Sequence, residues 1–114
     1  MTEHGVDVAI RRAIGGDPAA IAWIMTRADT IDDARVIAMA AVLERQPERL
    51  RRADAVAATT RDRQVVAIAR AHLAEKSALV NALARDHLAD HPTSLLVAWI
   101  AAVALDGHSR TRRV

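Results

Sequence analysis

The residue types in this chain that are best suited to chemistry are two histidines beside two aspartates, in the run Asp86-His87-Leu88-Ala89-Asp90-His91. Histidines four residues apart project from one face of a helix, where they can share a metal ion with carboxylate oxygens. The run lacks the glutamate of a His-Glu-x-x-His zinc motif, and His91 precedes a proline, which disfavours helical geometry. We therefore expect no metal and no cofactor, with His87 and His91 the residues that a metal would use. The alternative is a helix end where imidazoles meet the negative end of the helix dipole.

No other set of residues predicts catalysis. Ser77, Ser94 and Ser109 lie in no nucleophile motif, and Gly15-Gly16 lacks the residues that follow in a phosphate-binding loop. The chain has no cysteine, so a thiol nucleophile and a cysteine-based zinc site are excluded. We predict that the protein is not an enzyme and that His72, on an apolar stripe, is a hydrogen-bonded helix residue at the edge of the core.

Arginines are densest between residues 45 and 63, where five could contact phosphates: Arg45, Arg49, Arg52, Arg61 and Arg63. On a continuous helix the first three would share a face, although Pro47 interrupts it. No aromatic side chain is interleaved for base stacking, and the formal net charge is only +2. A solvated face or an acidic protein partner is therefore favoured, and a nucleic-acid-associated regulator is the alternative function.

The elements that position these residues are predicted from helix caps, prolines and apolar periodicity. Asp17-Pro18 opens one helix, and Thr30 and Thr60 are the predicted caps of two others. Apolar residues recur at helical spacing between these signals, and no run alternates as a strand does. We predict one all-α domain over residues 1–106, with six or seven short antiparallel helices, and a basic disordered tail over residues 107–114.

Internal similarity and one ambiguous junction bear on the helix count. Pro18, Pro47 and Pro92 each have an aliphatic residue three positions later, and the last two are 45 residues apart, within the range of two-helix repeats. Glu75-Lys76-Ser77 contains neither Gly nor Pro. It fits a tight turn between two antiparallel helices or the middle of one helix of about 28 residues, and the turn is favoured.

Four stretches carry a family pattern: Thr60-Arg61-Asp62-Arg63, the residues from Val66 to Leu73, those from Ala82 to Pro92, and Leu95-Leu96-Val97-Ala98. Together they resemble a degenerate tetratricopeptide-repeat protein. The chain departs from the family pattern at Glu75-Lys76, where the family usually has Gly, and it lacks the large aromatic residues of the first helix. The resemblance implies helix pairs stacked as a right-handed solenoid, a role in protein–protein interaction, and no catalytic residues; a compact helical bundle is the alternative architecture.

The longest apolar run is Leu95–Leu105, eleven residues without a polar side chain. It is too short to cross a bilayer, which needs about 20 apolar residues. The first residues of the chain lack the basic and apolar regions of a signal peptide. We therefore expect a cytoplasmic protein with no membrane partner, and a run that other helices or another chain must cover.

The same run is the predicted interaction surface. The last helix of an array lacks a neighbour on one side, and this one has no polar capping face. We expect Leu95, Trp99, Ala102 and Val103 to face the preceding hairpin and a homodimer to form through the other sides. The alternative is a monomer whose N-terminal helices cover the run. The expected function is a non-catalytic interaction module or small scaffold that binds another protein or peptide. The surface comprises four residues, Leu96, Trp99, Ile100 and Val103.

Overall fold

The computed structural model describes the backbone from Glu3 to Arg113 and the side chains from Gly5 to Ala104. Within this part of the chain there are seven α-helices and no strand, and 79% of the residues are helical, so the all-α prediction is confirmed. A 3-10 turn at Pro47–Arg49 precedes the fourth helix. The helices are α1 (Glu3–Ile14), α2 (Pro18–Arg27), α3 (Ala34–Glu44), α4 (Leu50–Val56), α5 (Thr60–Leu73), α6 (Ser77–Asp90) and α7 (Leu95–Arg113).

Polar side chains fix three of the helix starts. Asp17, Asp33 and Thr59 cap α2, α3 and α5, and the side-chain oxygen of each accepts a hydrogen bond from a backbone N–H of the first turn. The predictions of Thr30 and Thr60 as caps were wrong. Thr30 lies in the connection before α3, whereas Thr60 is already the first residue of α5.

Helices α1, α3 and α5 end in the same hydrogen-bonded motif. In each, a backbone N–H just beyond the helix bonds to a carbonyl oxygen five residues earlier. The residue before that N–H has a positive φ: 90° at Gly16, 56° at Arg45 and 59° at Glu75. The motif at Glu75 separates α5 from α6 without Gly or Pro, so the predicted turn is confirmed.

Pro47 and Pro92 each lie three residues before the first residue of a helix, Leu50 of α4 and Leu95 of α7. Pro47 begins a 3-10 turn, whereas Pro92 lies in a hydrogen-bonded turn. The 45-residue repeat itself stays a prediction. A second spacing recurs at the helix ends at Gly16, Arg45 and Glu75, which lie 29 and 30 residues apart.

Helix α3 is the centre of the packing. All nine residues from Ala34 to Val42 are buried. A helix that is apolar on every side has to be covered on every side. Helices α2, α4, α5 and α7 contact it, α6 packs on α5, and α7 packs on both α5 and α6. Helix α3 is therefore more completely enclosed than α7, although α7 contains the longest apolar run of the sequence, Leu95–Leu105.

Helix α1 closes the fold by packing on α7 as well as on α2. Val6, Ile10 and Ala13, spaced along one face of α1, are buried. The N-terminal helix thus covers part of α7, which is the arrangement that the monomeric alternative required. Whether two copies associate stays a prediction.

Helix α7 continues to Arg113, past residue 107, where the sequence placed the start of a disordered tail. The side chains after Ala104 lie outside the described residues, so the division of the chain at residue 106 stays a prediction. Among the described residues, no helix has the length and apolar character needed to cross a bilayer.

Candidate functional site

His87 lies at the centre of a buried polar network between three helices. It belongs to the last turn of α6 and is only 1% exposed. Its Nδ1 is 2.7 Å from Oε1 of Gln64 near the start of α5, and its Nε2 is 3.2 Å from Oγ of Ser94, the residue before α7. Because an amide oxygen only accepts, Nδ1 donates to Gln64 and Nε2 accepts from the Ser94 hydroxyl. The neutral ring satisfies both partners.

This network does not provide a metal site. The rings of His87 and His91 are 4.8 Å apart and tilted by 37°, so they lie against each other. To bind a metal, His87 would have to give up its hydrogen bond to Gln64 or to Ser94. In the part of the chain with described side chains, no three histidine or acidic residues are grouped so that they could hold a metal ion.

Ser94, His87 and Gln64 have the hydrogen-bond order of a serine nucleophile, its base and an orienting group. Ser94 is only 6% exposed and His87 only 1%, so both lie under the surface, out of reach of a substrate carbonyl. The arrangement instead joins α5, α6 and the start of α7 through fully partnered polar atoms. The sequence offered one signal for it, a histidine on the apolar face of α6, which must find partners once buried.

The charge state of His87 is set by its surroundings. Burial is the largest cause that lowers its pKa below 6.5, and the electrostatic effects of His91 and Arg61 act in the same direction. Asp90 opposes them. The ring is therefore held in the neutral form that the two hydrogen bonds require.

His72, on the same hairpin, is half-buried, as expected at the edge of the core, and its predicted hydrogen bond stays a prediction. Burial is again the largest cause that lowers its pKa, followed by the charge of Arg45, and Glu75 opposes them. His72 and His87 belong to opposite ends of the α5–α6 hairpin, close to its turn and far from it respectively. The two histidines do not form one site.

Two of the arginines proposed for phosphate contact have partners within the chain. The two terminal nitrogens of Arg49 lie 2.9 Å from Asp29 and 2.6 Å from Glu44. Arg52 donates to two backbone carbonyl oxygens of the α2–α3 connection, each at 2.5 Å, and reaches Asp32 at 3.2 Å. These arginines attach α4 and the turn before it to α2 and α3.

The predicted basic face of Arg45, Arg49 and Arg52 does not form, because α3 ends before Arg45, whose φ is positive. Arg45 is exposed and lies 4.0 Å from Glu75. Arg61 is half-buried, and its buried Nε has no hydrogen-bond partner within the described part of the chain. Of the five arginines, Arg45 and Arg63 are the exposed ones.

The outer face of α7, defined as Leu95, Ala98 and Ala102, is exposed and apolar. At 100° per residue these three positions lie within about 60° of the helix circumference. Trp99 and Val103 flank the face and are half-buried. The predicted orientation of the helix was therefore wrong. The residues of α7 that are buried against the rest of the chain are Leu96, Val97, Ile100 and Ala104.

A cavity of about 340 Å³ lies where the starts of α3 and α5 meet α1. Its buried guanidinium, Arg35, is paired with Asp7 at 2.5 Å and with Asp33 at 3.4 Å. Asp62 accepts from a backbone N–H at 3.3 Å, and Asp32 is paired with Arg52. Every charged side chain of the lining therefore already has a partner, so the cavity does not indicate a ligand class.

Comparison of the chain with models of protein families, with curated proteins and with solved structures gives no match. The tetratricopeptide resemblance therefore stays a prediction.

Proposed function

We propose that the protein is a non-catalytic interaction module whose outer face of α7 receives an apolar helix of a partner protein, in the first instance α7 of a second copy. The observation that carries this proposal is the composition of that face. From Leu95 to Ala104 the helix has no polar side chain, yet Leu95 is 44% exposed and Ala98 and Ala102 are exposed as well. Contiguous apolar surface of this kind is typical of protein contact sites.

The shape of the face favours a helix as the occupant. Two alanines beside Leu95 let another backbone approach closely, and Trp99 offers a large half-buried ring at the edge of the contact. A twofold arrangement would bring each Leu95 against the same face of the other copy. The burial of Leu96 and Ile100 removes them from this contact, so the interface we propose is rotated around the helix from the one that the sequence suggested.

The nucleic-acid alternative is less well supported. Arg49 and Arg52, two of the five arginines that it would use, are held in contacts within the chain. Arg45 and Arg63 remain exposed but belong to different elements. Loss of binding on changing Arg49 or Arg52 could then reflect loss of structure and would not identify a phosphate contact.

The test is sedimentation velocity of the purified protein over a range of micromolar concentrations. We expect a mass above that of the monomer, and we expect Leu95→Glu to weaken self-association by at least about tenfold, or 1.4 kcal/mol. Leu79→Glu is the matched control, because Leu79 on α6 is also 44% exposed. It should leave the mass unchanged.

Circular dichroism of both variants shows whether each keeps its helices, since an exposed position tolerates a charge. A wild-type protein that stays monomeric throughout the concentration range overturns the proposed self-association. So does an equal response to the Leu79 and Leu95 substitutions, because a contact through α7 requires only the second to matter.

A further inference from the structure

The polar network around His87 is placed at the point where α7 leaves the α5–α6 hairpin. Ser94 is the residue immediately before α7, and its hydroxyl bonds to His87. From Leu95 to Ala104 the helix carries only apolar side chains. Among the described side chains, the bond between His87 and Ser94 is therefore a polar tie at the start of an otherwise apolar contact.

We propose that His87 is a proton-sensitive latch: the neutral ring ties Ser94 and the start of α7 to the α5–α6 hairpin, and protonation on acidification releases α7. This inference is independent of the proposed function, because it concerns the contact of α7 with its own chain.

The groups around His87 explain why protonation of its ring would release α7. A protonated ring would place a positive charge at a position that is 1% exposed. From α5 it meets Gln64, which is neutral, and the positive charge of Arg61. From the end of its own helix it meets the carboxylate of Asp90, and from the residue after the helix it meets His91.

The third element packed against the ring, the start of α7, offers no compensation. It contributes the neutral hydroxyl of Ser94 and apolar side chains. The negative end of α6 favours a charged ring, whereas the positive end of α7 opposes it. Within the described residues, the carboxylate of Asp90 is the anionic group that acts on His87 and favours its charged form. Opening lets water solvate the charge, which the closed arrangement does not.

The direction of the pH effect follows from the lowered pKa of His87. The open state takes up a proton near the ordinary value of 6.5, whereas the closed state resists it until a lower pH. The closed arrangement is thus fully stable above pH 6.5 and is weakened as the pH falls toward the lowered pKa. Between those values the opening equilibrium rises by up to about tenfold per pH unit.

The experiment is amide hydrogen exchange from about pH 7.5 to about pH 5, corrected for the intrinsic pH dependence of exchange. We expect the amides of residues 95–104 to open increasingly below pH 6.5. His87→Gln should remove this response, because a glutamine amide can still donate to Gln64 and accept from Ser94 but does not titrate. His72→Gln, at the other end of the hairpin, should keep it.

A wild-type protein whose residues 95–104 show no pH-dependent opening overturns the latch, and so does an unchanged response in His87→Gln. If that variant does not fold, NMR titration of the wild-type His87 ring gives the decision. Its midpoint should lie below 6.5 and coincide with the shifts of the α7 amides. A midpoint at or above 6.5, or one unrelated to α7, rejects the proposal.

Discussion

Glu75 holds a backbone conformation that favours glycine, with φ of 59°. A left-handed conformation costs a residue with a Cβ about 1–2 kcal/mol. Glycine avoids this cost, but its unfolded chain is more flexible, which cancels part of the gain in stability. We expect Glu75→Gly to raise the free energy of unfolding by about 0.5–1 kcal/mol, measured by urea denaturation. Little is lost with the carboxylate, because its 4.0 Å contact with Arg45 is largely solvent-exposed.

Glu75→Ala is the control, since alanine keeps the Cβ and removes the charge. It should give no stabilisation. Equal gains for the two variants would mean that the carboxylate, and not the backbone conformation, destabilises the turn.

Arg52 is predicted to be structural. Its guanidinium satisfies two carbonyl oxygens of the α2–α3 connection, so Arg52→Ala should lower the free energy of unfolding by about 1–3 kcal/mol. Arg52→Lys should restore only part of the loss, because one ammonium group cannot reproduce the planar fork. Arg51→Ala, at the exposed neighbouring position, should leave the denaturation midpoint nearly unchanged. A similar loss for Arg51→Ala would count against this role.

At the scale of elements, the two sides of α7 should respond differently to charge. Ile100 is fully buried, so Ile100→Glu should unfold the protein or cost several kcal/mol. Ala98 is exposed on the outer face, and Ala98→Glu should keep the helical signal in circular dichroism. A folded Ile100→Glu protein with unchanged thermal stability would show that α7 is rotated so that Ile100 faces solvent.

The sequence predicted the helices better than it predicted their faces. The turn at Glu75 was favoured because one uninterrupted helix of about 28 residues would be long for a globular domain. The orientation of Leu95–Leu105 could not, since a run that is apolar on all sides gives no preference for the buried face. The sequence also did not predict that α3 is buried on every side, because the burial of Ala34–Val42 depends on which helices pack around it.

The candidate sites show the same limit. The sequence assigned His87 to a metal site or to a helix end, whereas it is buried, and its partners Gln64 and Ser94 are brought to it by tertiary packing. The internal roles of Arg49 and Arg52 also depend on contacts 20 or more residues away in the chain. A sequence rich in arginine suggests a basic surface, because the acidic side chains and carbonyl oxygens that bind the guanidinium groups are known only from the fold.

At the scale of the whole molecule, two histidines make the stability depend on pH in the same direction. The pKa values of His72 and His87 are both lowered from 6.5, so the unfolded chain binds protons that the folded one resists. We expect the free energy of unfolding to fall as the pH drops below 6.5. A double variant with glutamine at both positions should show a smaller fall between about pH 7.5 and about pH 5.

Urea denaturation at each pH measures the free energy of unfolding of the wild-type protein and of the double variant. The same carboxylates are present in both proteins, so the double variant shows the pH dependence without the two histidines. An equal fall in the wild-type protein and the double variant would assign the pH dependence to other groups.

The contact of α1 with α7 has a consequence for synthesis of the chain. Helix pairs such as α1–α2 and α5–α6 join neighbours in sequence and can form as soon as both helices have left the ribosome. The contact between α1 and α7 cannot, because five helices lie between them in the chain. Until α7 emerges, the side of α1 that it covers has no partner from that helix, so this apolar surface of the growing chain stays exposed until α7 has been made.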